Sequence, residues 1–335
     1  MPAEPEDYDA DIVILALNRA NETLAAIASA QTQVGCRWRL VVLDQGSAPA
    51  TLARFEQAIA GQANLSLIRS DRNLGVAGGR NAASALGHGR VIIGLDNDAV
   101  FADPHVVARA VSAFDATADL GAIGFRIVRH DSGEDDLSSW GYPASLLVQA
   151  GGAFDSVTFV GAGHAIRRAA WNAAGGYDDK LFFCWEEYDF CLRAIEAGWR
   201  IRYMGNIVVR HHVALEARVN WSANRWFYFI RNRLYIGHKT GDGRLVLAAR
   251  FLVYLMRSLH QGAATQAIRA LIAAIRLAAT TPGGALSSAT HAYLKRNDAR
   301  HRQSLPGRFQ AGLWPQRKPT APPRLPPAAL PAWRR

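Results

Sequence analysis

The sequence predicts an α/β protein built on a Rossmann-like, doubly wound, mostly parallel sheet. Three observations carry this. Short apolar runs rich in Val, Ile and Leu alternate with stretches of helical character. That alternation, at the spacing found here, implies right-handed crossovers between parallel strands. Each early run also closes on polar residues (Asn18, Asp44, Arg69-Ser70-Asp71, Asp96). Open α/β sheets bind ligands outside the carboxyl ends of their strands, so four polar ends on one edge outline a nucleotide pocket.

The elements follow in order. Asp11–Leu17 reads as the first strand, and Asn21–Ala30 as a helix with Asn21 as its cap. Arg39–Asp44 is the second strand, Ala50–Ala60 a helix, Leu65–Ile68 the third strand, Ala77–Leu86 a helix and Val91–Leu95 the fourth strand. Further on, Arg202–Arg210 reads as a last strand ending at His211-His212. Glu186, Glu187 and Asp189 open a helix that runs to about Ala197. Arg244–Ala279 is apolar with Arg250, Arg257, Arg269 and Arg276 interspersed on one broad arc, and Gly262 divides it into two helices. Its apolar runs fall short of the ~18 residues of a spanning helix. The region either packs on the main domain or lies in a membrane interface. Beyond Leu305, repeated prolines and scattered arginines read as a disordered tail. This divides the chain into a flexible 1–9, a main domain at 10–240, a helical extension at 241–304 and a tail at 305–335.

The fourth strand runs directly into Asp96-Asn97-Asp98. Side chains two apart on extended chain point to the same side, so Asp96 and Asp98 either repel or share a cation. Mg²⁺ or Mn²⁺, hard ions with oxygen ligands that carry substrate phosphates, suit such a pair. A solvated turn is the competing reading, because Asp-Asn-Asp is also good turn chemistry. Between the third strand and its helix lies Asn73-Leu74-Gly75-Val76-Ala77-Gly78-Gly79-Arg80-Asn81. Its glycines permit close backbone approach, and the helix N-terminus favours phosphate. Tight helix–sheet packing is the alternative. The pattern is neither GxGxxG nor a Walker loop.

Net charge is +10, but it is not spread evenly. Residues 291–335 hold ten Lys and Arg against one acid, Asp298, leaving 28 basic and 27 acidic residues in the rest of the chain. A basic tail on a neutral body suits anionic lipid or another polyanion and argues against a nucleic-acid-reading domain. Cys36, Cys184 and Cys191 form no CxxC pair, which argues against a disulfide framework or zinc site and fits a reducing compartment. The acidic N-terminus shows no apolar leader.

Leu43-Asp44-Gln45-Gly46-Ser47, then Asn73–Asn81, then Leu95-Asp96-Asn97-Asp98-Ala99 resemble, in that order, the motifs of glycosyltransferase family 2, closest to its bacterial rhamnosyltransferase-like branch. The resemblance covers roughly residues 10–240. Gly161–Arg168, with Gly163, resembles the small-residue strand before the acceptor-side helix, and Gly175-Gly176-Tyr177-Asp178 resembles the family's Gly-Gly-Phe-Asp turn. Leu181–Arg193 resembles the acidic motif, with Glu187 where the family most often has Asp and Trp185 beside it on the acceptor side. Trp226–Tyr235 resembles the aromatic-Arg-Asn helix near the domain's end, where Arg231 or Arg233 would reach a diphosphate.

The resemblance implies the GT-A fold and an inverting transferase. Asn18 and Asp44 would hold the nucleotide base, and Asn73, Gly75, Gly78, Asn81 and Asp96 would line the nucleotide sugar. Asp98 and Asp96, with His211 in preference to His212, would hold Mn²⁺ or Mg²⁺. Glu187 would be the general base, supported by Glu186 and Asp189. Read without the family, Glu186 and Asp189 are equally well ordinary complements to a helix dipole. The donor would be a UDP- or dTDP-linked sugar. The acceptor would be a glycan or a lipid-linked saccharide at the inner face of the cell membrane, with the protein peripheral to it and no nucleic acid involved. Two other readings compete. A sugar-phosphate nucleotidyltransferase would need a Gly-rich basic loop after the first strand, where this chain has Leu17-Asn18-Arg19-Ala20. A non-catalytic glycan-binding protein would not need the intact acids and histidine.

Overall fold

A computed structural model describes residues 8–212 and 223–302. The expected Pro/Arg-rich tail and most of the N-terminal 1–9 segment lie outside these described residues. Nine strands form one sheet: β1 (Ala10–Ala16), β2 (Trp38–Asp44), β3 (Leu65–Arg69), β4 (Val91–Leu95), β5 (Ala99–Phe101), β6 (Leu120–Arg129), β7 (Ala153–Ser156), β8 (Gly163–Arg167) and β9 (Arg200–His211). Their order is β3-β2-β1-β4-β8-β6-β9-β5, with β7 also on β9.

The first four strands are parallel and in the order of a nucleotide-binding half-sheet. β8 then runs antiparallel between β4 and β6. β6 and β9 are parallel, and β5 and β7 pair antiparallel with β9. Antiparallel β8 places the Gly161–Ala162 segment against the end of β4, where Asp96 N–H donates to Ala162 O at 3.2 Å.

Helices cover both faces, and the strand period of two sorts the core between them. Ile12, Ile14, Leu40, Val42, Ile93 and Leu95 pack toward α1 (Ala20–Gln31), α2 (Pro49–Ile59) and α4 (Val106–Ala116). Their neighbours Val13, Val41, Leu43 and Ile92 pack toward α3 (Gly75–Ala85), α5 (Arg168–Ala174) and α6 (Glu186–Glu196). Such runs, buried on both faces, read as continuously apolar, which is why these strands stand out in the sequence.

One local expectation changes. Asn21 does not cap α1; the helix begins at Ala20 after Asn18 and Arg19, both at positive φ. Asn21 lies in the first turn, and its Oδ1 accepts from Arg54 at 2.9 Å.

The C-terminal part is helical: α7 (Ala223–Lys239), α8 (Arg244–His260), α9 (Ala264–Ala279) and α10 (Ser288–Asn297). Trp226, Ile230 and Leu234 of α7 share a core with Ala267, Ala270 and Ala274 of α9. Gly262, at φ 67°, makes the turn between α8 and α9. α10 returns to the sheet domain, where the Tyr293 hydroxyl bonds Ile201 N, Ile201 O and Ser156 O at 3.0–3.1 Å. Among the described residues no helix is long and apolar enough to cross a membrane.

Candidate active site

The carboxyl ends of β1, β2 and β4 converge on one edge, as the strand order requires. The loops after β1 and β2 are locked together. Asn18 N–H donates to Ser47 Oγ at 2.7 Å, and Ala48 N–H donates to Asn18 Oδ1 at 3.2 Å. Asp44 is buried, and its carboxylate accepts from the backbone of Gly46 and Ser47 at 3.2–3.3 Å. In this structure Asp44 shapes the loop after β2 from within.

The glycine-rich segment is engaged by the chain itself. Asn73 Oδ1 accepts from Gly75 N at 2.8 Å. The first amides of α3, Val76 and Ala77, donate to Phe182 O at 2.6 and 3.4 Å. Gly75 sits at φ 73°, and a Cβ there would strike the Phe182 carbonyl. Gly78 packs by Leu74, and the Asn81 amide clasps the backbone of Tyr177 and the Asp179 carboxylate. Gly75, Gly78 and Asn81 therefore join α3 to the 177–182 turn, which is the packing alternative for this motif. The side chain of this stretch that reaches the end of β4 is instead Arg80, quoted in the motif but given no role there.

Arg80 is 3% exposed. Its Nη2 donates to Asp96 Oδ1 at 2.7 Å and to Gly161 O at 3.1 Å, while Nε and Nη1 have no protein partner. It reaches Asp96 because β4 has Gly94 there; a side chain at Gly94 would occupy the space of Arg80 and of the buried His164 ring. Burial, aided by Arg80, pushes the His164 pKa well down, so that ring is neutral.

Asp98 and Asp96 separate. Asp96 turns to Arg80, whereas Asp98 Oδ2 accepts from Arg19 Nη1 at 2.5 Å and Oδ1 lies 3.2 Å from His211 Nε2. His211 Nδ1 in turn lies 3.2 Å from Asp136 Oδ2. His212 stacks on His130 with ring centroids 3.6 Å apart. Burial works against the Asp98 carboxylate, but the bond and charge of His211 and the charge of Arg19 outweigh it and hold its pKa at about 2. Asp136 lies in the turn after β6 and carried no motif; only the fold brings it behind His211.

Among the described residues no three His, Cys, Asp or Glu side chains close a metal cage by themselves. Asp98 and His211 nevertheless fit two adjacent positions on one ion. Ligands at right angles on an ion with ~2.1 Å bonds lie about 3 Å apart, which matches their 3.2 Å separation. A carboxylate on the far nitrogen of the histidine is the usual partner of a metal-bound imidazole, and Asp136 supplies it.

Beside Asp96 opens a cleft of about 940 Å³, walled by Gly161–Ala162, the start of α6 and α8. Glu187 faces it from the first turn of α6. Burial, with a smaller push from Asp96, raises its pKa to about 7 against the pull of its own backbone amide and Arg80. A Cβ on Gly161 would meet Glu187 Oε1, so the glycine leaves room for this carboxylate. Glu186 is fully buried, and burial followed by repulsion from Glu187 raises its pKa well above the carboxylate range. Asp189 is spent on structure, pairing with Arg193 and Lys239 at 2.8 Å each.

The segment before Glu186 is strained. Phe182, Cys184 and Trp185 all have φ between 61° and 72°, which is costly for residues with side chains. The Asn232 amide, buried in α7, donates to Leu181 O, Phe183 O and Cys184 O at 2.8–2.9 Å. Arg231 donates to Lys180 O and Leu181 O at 2.6 and 2.8 Å. The Arg-Asn pair of α7 thus holds the strained loop, and Arg231 is not free for a diphosphate. Trp185 lines the cleft, its Nε1 donating to Phe229 O at 3.0 Å. Gly163 lies within the sheet, where Val209 fills the space a side chain would need.

Residues 11–173 match the family model described as Glycosyl transferase family 2. The chain is 39% identical over 97 residues to the Succinoglycan biosynthesis protein ExoO of Rhizobium meliloti (strain 1021), a match covering 29% of this chain and 27% of that protein. It is similar in structure to the mannosyltransferase PcManGT of Pyrobaculum calidifontis, solved with GDP-Man and Mn²⁺, with a TM-score of 0.57 and 18% identity over 92% of this chain and 84% of that one. It is also similar to GalNAc-T7, solved with UDP, GalNAc and Mn²⁺, with a TM-score of 0.59 and 14% identity over 92% of this chain and 56% of that one. At these identities the structural matches establish the GT-A fold.

Proposed function

We propose that this chain, whose residues 11–173 match the model of glycosyl transferase family 2, moves a sugar from a nucleotide-diphosphate donor to an acceptor hydroxyl by a single inverting displacement. The donor would lie over the ends of β1, β2 and β4, with Asp98, His211 and Arg80 on its diphosphate side. Two structures of the same fold, PcManGT and GalNAc-T7, hold Mn²⁺ with a nucleotide sugar or nucleotide, which supports a divalent ion here. Asp98 and His211, 3.2 Å apart, would hold it, and Asp136, 3.2 Å from the other ring nitrogen, would orient the imidazole. When bound, the ion would offset negative charge on the departing diphosphate.

The observation that carries the reading is Glu187. A carboxylate with its pKa at about 7 faces a cleft that adjoins Asp96. A base poised near neutrality is suited to take the proton of an attacking hydroxyl. The acceptor oxygen bonds to the anomeric carbon, the bond to the diphosphate oxygen breaks, the nucleotide leaves with that electron pair, and the hydroxyl proton passes to Glu187. The extra methylene of Glu relative to Asp is accommodated by Gly161.

The acceptor is proposed to be a glycan or lipid-linked saccharide, met at a membrane surface. Leu245, Leu252, Met256 and Leu259 of α8 and Ile268, Ile272 and Ile275 of α9 are exposed, and amphipathic helices with basic residues bind anionic interfaces. The match to a succinoglycan biosynthesis protein over part of the chain is compatible with this. The test of the reaction is Glu187→Gln. Turnover should fall about 10²-fold or more while donor KM stays within a few-fold. Unchanged turnover would refute the role.

A further inference from the structure

The far end of the cleft, beyond Glu187, is cationic. Arg233 of α7 and Arg250 and Arg257 of α8 line it together. They surround one residue: burial raises the pKa of the Tyr254 hydroxyl, and the positive charges of these three arginines oppose the rise. Of the three, Arg250 pairs with Asp242 at 2.6 Å. Arg233 lies over the rings of Trp185 and Tyr188, 5.7 and 5.3 Å from their centroids, and neither it nor Arg257 has a carboxylate partner among the described residues. Arg233 and Arg250 are half-buried and Arg257 is exposed; three like charges on one wall, of which Arg250 alone among the described residues is paired with a carboxylate, repel one another unless an anion joins them. Guanidinium forks match phosphate oxygens, and stacking on aromatic rings fixes their aim.

We propose that Arg233, Arg250 and Arg257 form an anion site that holds a phosphate or diphosphate group of the acceptor, with Glu187 reaching the hydroxyl to be glycosylated. Arg80 and Asp98 do not line this cleft, whereas Arg233, Arg250 and Arg257 do, so the site is separate from the donor's diphosphate. Calling its occupant the acceptor rests on the transferase reading above; the anion site itself does not. The cleft wall continues through Val253 and Phe229 to α8, whose exposed Leu252 and Met256 offer an apolar path for a lipid chain on such a phosphate.

The experiment is calorimetry on the full chain, in EDTA, with farnesyl diphosphate, farnesol and inorganic pyrophosphate. Farnesyl diphosphate is expected to bind at least tenfold more tightly than farnesol. Arg233→Gln/Arg257→Gln should weaken that binding tenfold or more, and Asp98→Asn should leave it unchanged. Pyrophosphate bound as tightly as farnesyl diphosphate assigns the site to a soluble phosphorylated acceptor, and much weaker pyrophosphate binding assigns it to a lipid-linked one. Equal binding of farnesol and farnesyl diphosphate, no binding of any probe, or an unaltered affinity in the double arginine variant overturns the proposal. Should that variant fold poorly, Arg257→Gln alone serves, with thermal unfolding as the control. Binding of nucleotide sugars is measured separately, so a failed donor reading leaves this result interpretable.

Discussion

Glu187 shows how position sets chemistry. Its carboxylate shares the first turn of α6 with Glu186 and Asp189, yet the three acids differ in fate. Asp189 is neutralised by Arg193 and Lys239, Glu186 borders the cleft but is almost entirely buried, and Glu187 is the more open of the two glutamates, with its pKa at about 7. A base must be unprotonated to act, so kcat/KM should fall about tenfold per pH unit below about 7 and level off above it. A profile flat from pH 5.5 to 8 would contradict the assignment. Stability has the opposite sign. Because the folded pKa lies above the unfolded one, folding is favoured below the ordinary carboxylate pKa, and that advantage is lost as pH rises through about 7. What sequence could not tell apart was this division of labour: three neighbouring carboxylates open one helix, and only Lys239, fifty positions past Asp189, and Gly161 distinguish them. Asp136 was equally hidden, since its role arises from the β6–β9 pairing that brings it behind His211.

At the scale of elements, the parallel half-sheet was legible because its strands are buried on both faces and end in polar loops. Antiparallel β8 between β4 and β6 was not, since a five-residue run carries no mark of its direction. The segment from Asn73 to Asn81 was legible as special but ambiguous in purpose. Glycines that admit a phosphate and glycines that admit a neighbouring carbonyl look alike, and here Phe182 takes the space beside Gly75. That contact ties α3 to the strained 182–185 loop, which α7 holds through Asn232. Asn232→Ala would leave buried carbonyls without donors and should cost about 2–4 kcal/mol. Because the loop aims Glu187, kcat should drop on the order of tenfold, with donor KM little changed. Wild-type kcat in a folded Asn232→Ala protein would show that the loop keeps its geometry unaided. Denaturant unfolding and steady-state kinetics on the same preparation measure both effects.

Across the whole molecule, the helical extension is attached at several points, among them the α7–α9 core, the bond of Ser287 to Glu196 and the return of α10 to β7 and β9 through Tyr293. Removing the extension would therefore uncover sheet-domain surface as well, so the membrane proposal is better tested by surface substitutions. Leu252→Glu, Met256→Glu and Ile272→Glu together should cut partitioning onto vesicles containing anionic lipid by an order of magnitude or more. Partitioning should also weaken with salt, given the basic residues clustered at 291–335. Equal sedimentation of the wild type and the triple variant would remove the membrane from the account.

The central claim is that Asp98 and His211 hold a divalent ion on a nucleotide sugar's diphosphate at the edge of the parallel half-sheet. Isothermal titration of the full chain with UDP-, dTDP- and GDP-linked sugars in the presence of Mn²⁺ tests it most directly. The expected result is uptake of one of these donors that disappears on adding EDTA and weakens at least tenfold in Asp98→Asn. No uptake of any of them, or uptake indifferent to both the chelator and the substitution, would contradict it.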